Sequence, residues 1–394
     1  MATSSASVLS TVSVGIVGAG ISGAICARTL KRAGITVQVF EKSHGPGGRM
    51  ATRRRAEPYR FDHGAQYFTL QNHPTVLEEL KHTGTIALWP PRFTHWKAGK
   101  ITADHAAVLE PHFVGTPAMS SIFARLLDEI PVHYDHTVAS VKWDGAGGHR
   151  EEQGKWIPSS TQTAGFNLSN NDNGIIDKSE GSYGTNGTGV SKEDTRDDDG
   201  RMQGRWKINM LNGQSATVNV LLFTMPAPQL QRLIPSWVPF STHVTQVTYS
   251  PCWTMMLGYK SHLPVNHDVV NFVGHRVLGR AIRDSAKPKR NSSLDSWVVQ
   301  ANESWSLDHL EDDNSHVEKI MLQHVRDTLD DMQPSHVAVH RWRYAFAHCL
   351  GVDSFWNADA RVGACGDWCL GSSVEQALDS GVTLAQKVIK HFSG

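Results

Sequence analysis

The glycine loop Gly18-Ala19-Gly20-Ile21-Ser22-Gly23 constrains this chain more than any other segment. It follows a short apolar run, Val12 to Val17, that reads as a strand. It opens a stretch, Ile21 to Ala33, whose apolar residues recur at helical spacing. Gly34 stops that helix, and Thr36 to Phe40 reads as a second strand ending in Glu41. The pattern is one βαβ unit. Its glycines permit a tight turn and a close backbone approach to a pyrophosphate, while the helix N-terminus offers N–H groups and about half a positive charge. Glu41 falls about 20 residues on, where a carboxylate accepts from a ribose 2′-hydroxyl and disfavours a 2′-phosphate.

Two further motifs narrow the ligand. Gly45-Pro46-Gly47-Gly48-Arg49 lies just past Glu41. Its glycines let the backbone come close to the same dinucleotide, and an arginine there can bridge pyrophosphate oxygens. Dehydrogenases that use NAD do not need this element, so the pair of motifs points to FAD. Near the C-terminus a strand, Ala360 to Cys365, runs into Gly366-Asp367 and then a helix from about Ser373 to Phe392. Asp367 stands where it can hold a ribityl hydroxyl. Ser372 and Glu375 have capping-box spacing, which would aim the positive helix end at the flavin pyrimidine ring.

Bulk properties exclude several roles. Lys plus Arg and Asp plus Glu both number 38, so charge does not drive binding to nucleic acid or a membrane surface. No run of about 18 apolar residues suggests a membrane span. Met1 to Thr11 is small and serine-rich without a basic residue, too short for a cleaved leader ahead of the first strand, so a cytoplasmic location is expected. The five cysteines are odd in number and scattered, as in a reducing compartment. Cys365 and Cys369 lack a second ligand pair and no HExxH occurs, so no metal is expected.

Asp144 to Gly204 is rich in Gly, Ser, Asn, Thr and Asp and too polar to offset its ordering entropy, so it reads as a disordered insertion. Its flanks, Thr137 to Trp143 and Arg205 to Met210, alternate like the two strands of a hairpin. Further strands are expected at Val218 to Thr224, Val244 to Ser250, Trp253 to Tyr259 and Ser296 to Ala301, with a helix near His316 to Met332. The fold class is α/β, α+β overall. A discontinuous Rossmann-type FAD-binding domain (12–90, 111–143, 205–232 and 346–394) joins a mixed-sheet substrate domain (91–110 and 233–345), with 144–204 as the insertion.

At these residues the chain resembles a known family: renalase and its bacterial and plant relatives, within the amine-oxidase-like flavoproteins. The resemblance rests on GAGISG (18–23), GPGGRMATRR (45–54), FDHGAQYFT (61–69), FVGTPAMSSIFARLL (113–127), TMPAPQL (224–230) and ACGDWCLGSSVEQALDSG (364–381). It implies an architecture like that of p-hydroxybenzoate hydroxylase and the amine oxidases, with FAD held non-covalently. The implied cofactor contacts are Gly18, Gly20, Ser22, Gly23, Glu41, Lys42, Gly48, Arg49, Met50, Gln66, Val138, Met225, Gly366, Asp367, Val374 and Glu375. It implies an oxidase that converts the 2- and 6-dihydro isomers of NAD(P)H to NAD(P)+ and passes the electrons to oxygen, giving hydrogen peroxide. The partners would then be a small-molecule substrate and O2, with neither nucleic acid nor membrane.

The residues fit such a reaction in one respect. A dihydropyridine expels hydride through its own ring nitrogen, and no triad, paired-carboxylate or metal motif is present to serve as base. A single nucleotide fingerprint leaves the substrate to the second domain. Candidates there are His63, Gln66, Tyr67, Trp253, Arg283 and Trp342. His63 reads equally as a structural histidine, while for Trp253 and Trp342 core packing is the favoured reading. Arg276 to Arg290 is a basic stretch that suits either phosphates or a solvated face. Three alternatives stay open on sequence: an amine oxidase with an aromatic cage, a flavin monooxygenase driven by NAD(P)H, and a flavin-binding scaffold without catalysis.

Overall fold

The computed structural model describes residues 9–103, 110–145, 204–329 and 332–393. All but the ends of the 144–204 insertion lie outside them.

The βαβ unit forms as its sequence dictates. Strand β1 (Ser13–Val17) leads through the glycine turn into helix α1 (Ile21–Arg32), which returns to strand β2 (Thr36–Phe40) in parallel register with β1, Val17 opposite Phe40. β1 also pairs in parallel with Val220–Phe223. The full sheet has six strands, in the order 355–357, 362–364, 220–223, β1, β2, 132–133. Only the 355–357 edge strand runs antiparallel. A parallel sheet needs cover on both faces, and both are covered. One face carries α1 and the C-terminal helix Val374–Ser393, which meet closely at Gly381: a Cβ there would stand 2.7 Å from Ile25 Cγ2. The other face carries a three-stranded antiparallel sheet, 138–143, 206–210 and 215–218, including the hairpin that flanks the insertion. Gly15 makes room for it, since a Cβ there would lie 2.9 Å from Ile208 Cδ1.

A second sheet has seven strands, ordered 336–347, 249–259, 295–301, 278–283, 269–273, 93–97, 100–103. Helix Asn314–Thr328 buries Val317, Met321 and Val325 in the core beside this sheet.

Several sequence expectations shift. Val244 to Ser250 is not one strand: Ser241–Val244 is a helical turn, and the strand begins at Tyr249. Val218 to Thr224 is interrupted at Asn219, whose Oδ1 accepts from Ser13 N (2.9 Å) and Ser13 Oγ (2.7 Å) and so staples β1. The helix expected near His316 to Met332 runs from Asn314 to Thr328, because Asp313 caps it by accepting from His316 N. The long strand His336–Ala347 has no counterpart among the expected elements. Its alternation of His and Arg with Val, Ala and Trp leaves nearly every residue half-buried, so neither face reads as a plain core stripe.

Candidate functional site

A cavity of about 700 Å³ runs from the glycine loop to the inner side of strand 336–347. At its first end the three loop glycines have separate tasks. Gly18 has φ +109°, a turn that L side chains rarely adopt. Gly20 precedes α1 and faces open cavity: a Cβ there would meet no heavy atom within 4 Å. Gly23 does not line the cavity. Its missing Cβ lets α1 pack on the turn, where a methyl would overlap the Gly18 carbonyl and stand 2.7 Å from Thr224 Oγ1. Glu41 is buried against the loop, accepting from Ala19 N (2.8 Å) and Ser43 N (2.9 Å). Its carboxylate therefore sits beside the N-terminus of α1 and on the cavity wall, with Lys42 and Val138 alongside.

The second glycine motif locks onto the first. Gly47 N donates to Ala19 O (2.9 Å), and a Cβ on Gly48 would lie 3.7 Å from Gly20 Cα. Arg49 follows on the wall with Met50. Its guanidinium pairs with Asp367 through two hydrogen bonds, Nη1 to Oδ2 at 2.6 Å and Nη2 to Oδ1 at 2.5 Å, and Nη1 also reaches the carbonyl of Ala345 (3.1 Å). By sequence, Arg49 is expected at a pyrophosphate and Asp367 at a ribityl hydroxyl. In the fold these two groups, far apart in the chain, meet each other at the cavity wall. Met225 and Val374 complete this part of the lining.

The helix cap differs by one residue from expectation. Ser373 Oγ accepts from Gln376 N (3.0 Å), and Gln376 Oε1 accepts from Ser373 N, so the box is Ser373–Gln376. Ser372 instead donates to Ala347 O (2.6 Å), and Glu375 turns away from the cavity to accept from Asn72 N (2.7 Å) and Thr69 Oγ1 (3.2 Å). The helix start itself stays at the cavity through Ser373 and Val374.

At the far end stand His63, His340 and Trp342. The His63 ring lies 4.9 Å from His340 and 5.0 Å from Trp342, and the latter two are 4.3 Å apart, centroid to centroid. Burial, reinforced by His340 and Arg53, pushes His63 down to about 4. Burial and Arg53 do the same to His340. Both rings are neutral at pH 7. His63 Nδ1 is buried without a hydrogen-bond partner among the described residues, although such a group costs about 1–3 kcal/mol unless something pairs with it.

The His63 segment is held rigidly. Its carbonyl accepts from Trp342 Nε1 (2.9 Å), and the next carbonyl, Gly64 O, accepts from Gln300 Nε2 (3.2 Å) and Gln66 Nε2 (3.1 Å). Gln66 is in turn held by Lys287 Nζ (3.1 Å), which also meets Asp284 (2.6 Å) and Asp62 (3.3 Å). Arg290 adds a further pair to Asp62. This quartet of charges is buried throughout. Despite its own burial, Asp62 is held down to about 2 by Lys287 and Arg290, whereas burial pushes Asp284 up.

The fold does not bring every candidate to the cavity. Trp253 is fully buried core, its Nε1 donating to His309 O (2.9 Å). Arg283 is fixed on Asp295 by two bonds of 2.8 Å. Tyr67 packs against His112 and Trp89, with its hydroxyl beside Arg280. Gln66 acts behind the wall, and Gly366 and Glu375 are not part of the lining. Of the basic stretch, Lys287 and Arg290 are buried in ion pairs rather than on a solvated face. Conversely, Cys252, Gln300, His340, Tyr344 and Phe346 line the cavity without having been singled out. The i, i+2 alternation of His340, Trp342, Tyr344 and Phe346 was the available signal, since side chains two apart in a strand share a face.

An extended dinucleotide fits this donor set. The open face at Gly20, the free end of α1, the buried Glu41 carboxylate and the paired Arg49 lie along one continuous wall. Such a ligand would be held by the loop N–H groups and Glu41 at one end and would reach the His63–His340–Trp342 cluster at the other.

Comparison with known proteins bears on the fold. Residues 16–83 match the model of the NAD(P)-binding Rossmann-like domain. Across 96% of its length the chain superposes on 99% of cyclohexylamine oxidase from Brevibacterium oxydans, with TM-score 0.63 at 11% identity. It matches 98% of putrescine oxidase, solved with putrescine bound, with TM-score 0.62 at 12% identity. It matches 94% of reduced UDP-galactopyranose mutase with TM-score 0.64 at 10% identity. The fold is therefore a Rossmann-type nucleotide-binding domain joined to a mixed-sheet second domain, in the arrangement of the amine oxidases.

Proposed function

We propose that this chain is an FAD-dependent oxidoreductase, and that it is a renalase-like oxidase of 2- and 6-dihydronicotinamide dinucleotides. FAD, when bound, supplies a hydride acceptor at N5 and returns the electrons to O2 as hydrogen peroxide. The chain's own task is to bind and orient. Gly20, the start of α1 and Glu41 would hold the adenosine and phosphate end. Arg49 and Asp367 hold each other at mid-cavity, where hydroxyl and phosphate groups of the cofactor would pass. His63, Trp342 and Gln300 shape the reacting end.

The observation that carries the substrate reading is the charge of that end. The lining carboxylates among the described residues are Glu41 and Asp367, and both are already hydrogen-bonded. His63 and His340 are neutral at pH 7. An ammonium group would find no counter-charge there, whereas a neutral dihydropyridine ring needs neither counter-charge nor base. Its carboxamide would suit the unpartnered His63 Nδ1.

A second reading, an amine oxidase, is favoured by the aromatic wall of Trp342, Tyr344 and Phe346, which can cage a neutral amine, and by the names of two structural neighbours. Anaerobic flavin bleaching separates the two. Borohydride-reduced NAD+, a mixture of isomers, is expected to bleach the flavin rapidly and authentic 4-NADH to do so poorly. Bleaching by amines alone establishes the second reading, turnover only with NAD(P)H and an aromatic substrate establishes a monooxygenase, and bleaching by none refutes all three.

A further inference from the structure

We propose that His309, Asp312 and His316 form a site for one divalent transition-metal ion of the Zn2+ class. The sequence spacing, H-x-x-D-x-x-x-H, is not a familiar metal signature, and only the fold makes it a cluster. Helix Glu303–Asp308 ends at His309, and helix Asn314–Thr328 begins after Asp313, so the turn between them folds both imidazoles onto one carboxylate. Asp312 Oδ2 lies 2.7 Å from His309 Nδ1 and 3.6 Å from His316 Nε2. All three donor atoms fall within 4.8 Å of one another, which no other such group among the described residues does.

Tetrahedral zinc with bonds of about 2.0–2.2 Å to N and O sets its ligands roughly 3.3–3.5 Å apart. The observed spacings straddle that value. A small turn of the His309 ring or the Asp312 carboxylate to open the 2.7 Å contact, with a rotation of His316, the most exposed of the three side chains, would close the set. Two imidazoles and one carboxylate suit Zn2+ or Ni2+ and not the hard cations Ca2+ or Mg2+. Three protein ligands leave water for the fourth position.

The site is supported from behind, as metal ligands generally are. Trp305 stacks on the His309 ring at 4.3 Å, and Trp253 Nε1 donates to the His309 carbonyl (2.9 Å). The cap residue Asp313 accepts from His316 N (2.9 Å), fixing the turn on which His316 stands. The same turn braces the cavity wall from outside. Leu310 O accepts from Arg341 (2.6 Å), and Glu311 takes a two-pronged bond from Arg343, the two residues flanking Trp342. No reacting group lies at the turn, so the ion's role is to stiffen the support of strand 336–347, not to take part in redox chemistry.

The test is a ZnCl2 titration of the FAD-loaded chain, followed by calorimetry and by tryptophan fluorescence, since Trp305 stacks on a ligand. One equivalent is expected to bind, and His316→Ala and Asp312→Asn are each expected to weaken it about tenfold or more. Their metal-free melting temperatures should match that of the parent. Cys349→Ser, which removes an exposed thiol, should bind zinc as the parent does. Failure of the parent to bind one equivalent, equal binding by both ligand variants, or loss of binding in Cys349→Ser overturns the assignment.

Discussion

Gly20→Ala and Gly23→Ala test how the glycine loop divides its labour. A methyl at residue 23 would overlap the Gly18 carbonyl and crowd Thr224 Oγ1, which itself donates to Val17 O and Gly18 O. The obstruction is backbone and cannot rotate away. Overpacking of this kind costs about 1–3 kcal/mol, while alanine in a helix recovers about 1 kcal/mol over glycine. Gly23→Ala should therefore lower apoprotein stability by up to about 2 kcal/mol. At residue 20 the backbone, φ −75° and ψ −177°, suits alanine, and the methyl meets nothing. Apoprotein stability should hold or rise by about 0.4–1 kcal/mol, because the unfolded chain loses freedom. That methyl, however, projects into the cavity where a pyrophosphate must approach the loop N–H groups. Loss of close approach at about 1–3 kcal/mol weakens FAD roughly 5- to 150-fold. The assay is thermal melting of the FAD-stripped protein beside FAD titration by flavin fluorescence. Parental FAD affinity in Gly20→Ala, or equal apoprotein destabilisation by both variants, would refute the assignment of Gly20 to ligand and Gly23 to packing.

Lys287→Met leaves Asp62 and Asp284 buried with one cation fewer. Breaking a buried pair from one side costs about 3–5 kcal/mol, measurable as a lower urea midpoint, and a loss under 1 kcal/mol would show that the quartet does not hold the His63 segment. His63 and His340 are depressed by burial from 6.5 to about 4, so the unfolded chain binds their protons first. Stability should be full above pH 6.5 and fall toward pH 4 by about 1.4 kcal/mol per pH unit for each histidine. A His63→Gln, His340→Gln double variant should flatten that limb, and an unchanged slope would place the titration elsewhere. Trp342→Phe removes the donor to the His63 carbonyl, worth about 1 kcal/mol, and should slow substrate bleaching of the flavin roughly fivefold with FAD affinity kept. A larger fall in FAD affinity than in bleaching rate would contradict the placement of Trp342 at the reacting end.

Local order was legible along the chain wherever one short segment carries its own instructions. The β1–turn–α1–β2 unit, the hairpin around the insertion and the C-terminal helix stand within a few residues of expectation, because apolar periodicity, stop signals and glycine placement act over a handful of residues. Misreadings arose where neighbours in space outbid neighbours in sequence. Ser372–Glu375 has the spacing of a capping box, but Asn72 and Thr69 claim Glu375 and the cap moves to Ser373–Gln376.

The sequence by itself determined a nucleotide-binding βαβ unit and the composition of its loop. Only the tertiary structure decided which of those residues face the cavity. Gly20 and Gly23 are identical in type and three apart, yet one looks into open space and the other at the Gly18 carbonyl. Arg49 and Asp367 meet only because two distant segments converge beside the same sheet, and His63 gains its neutral, rigid setting from Trp342, His340 and Lys287, more than 200 residues away. Burial and long-range hydrogen bonds set charge and direction, and neither can be read from a residue's immediate neighbours in the chain.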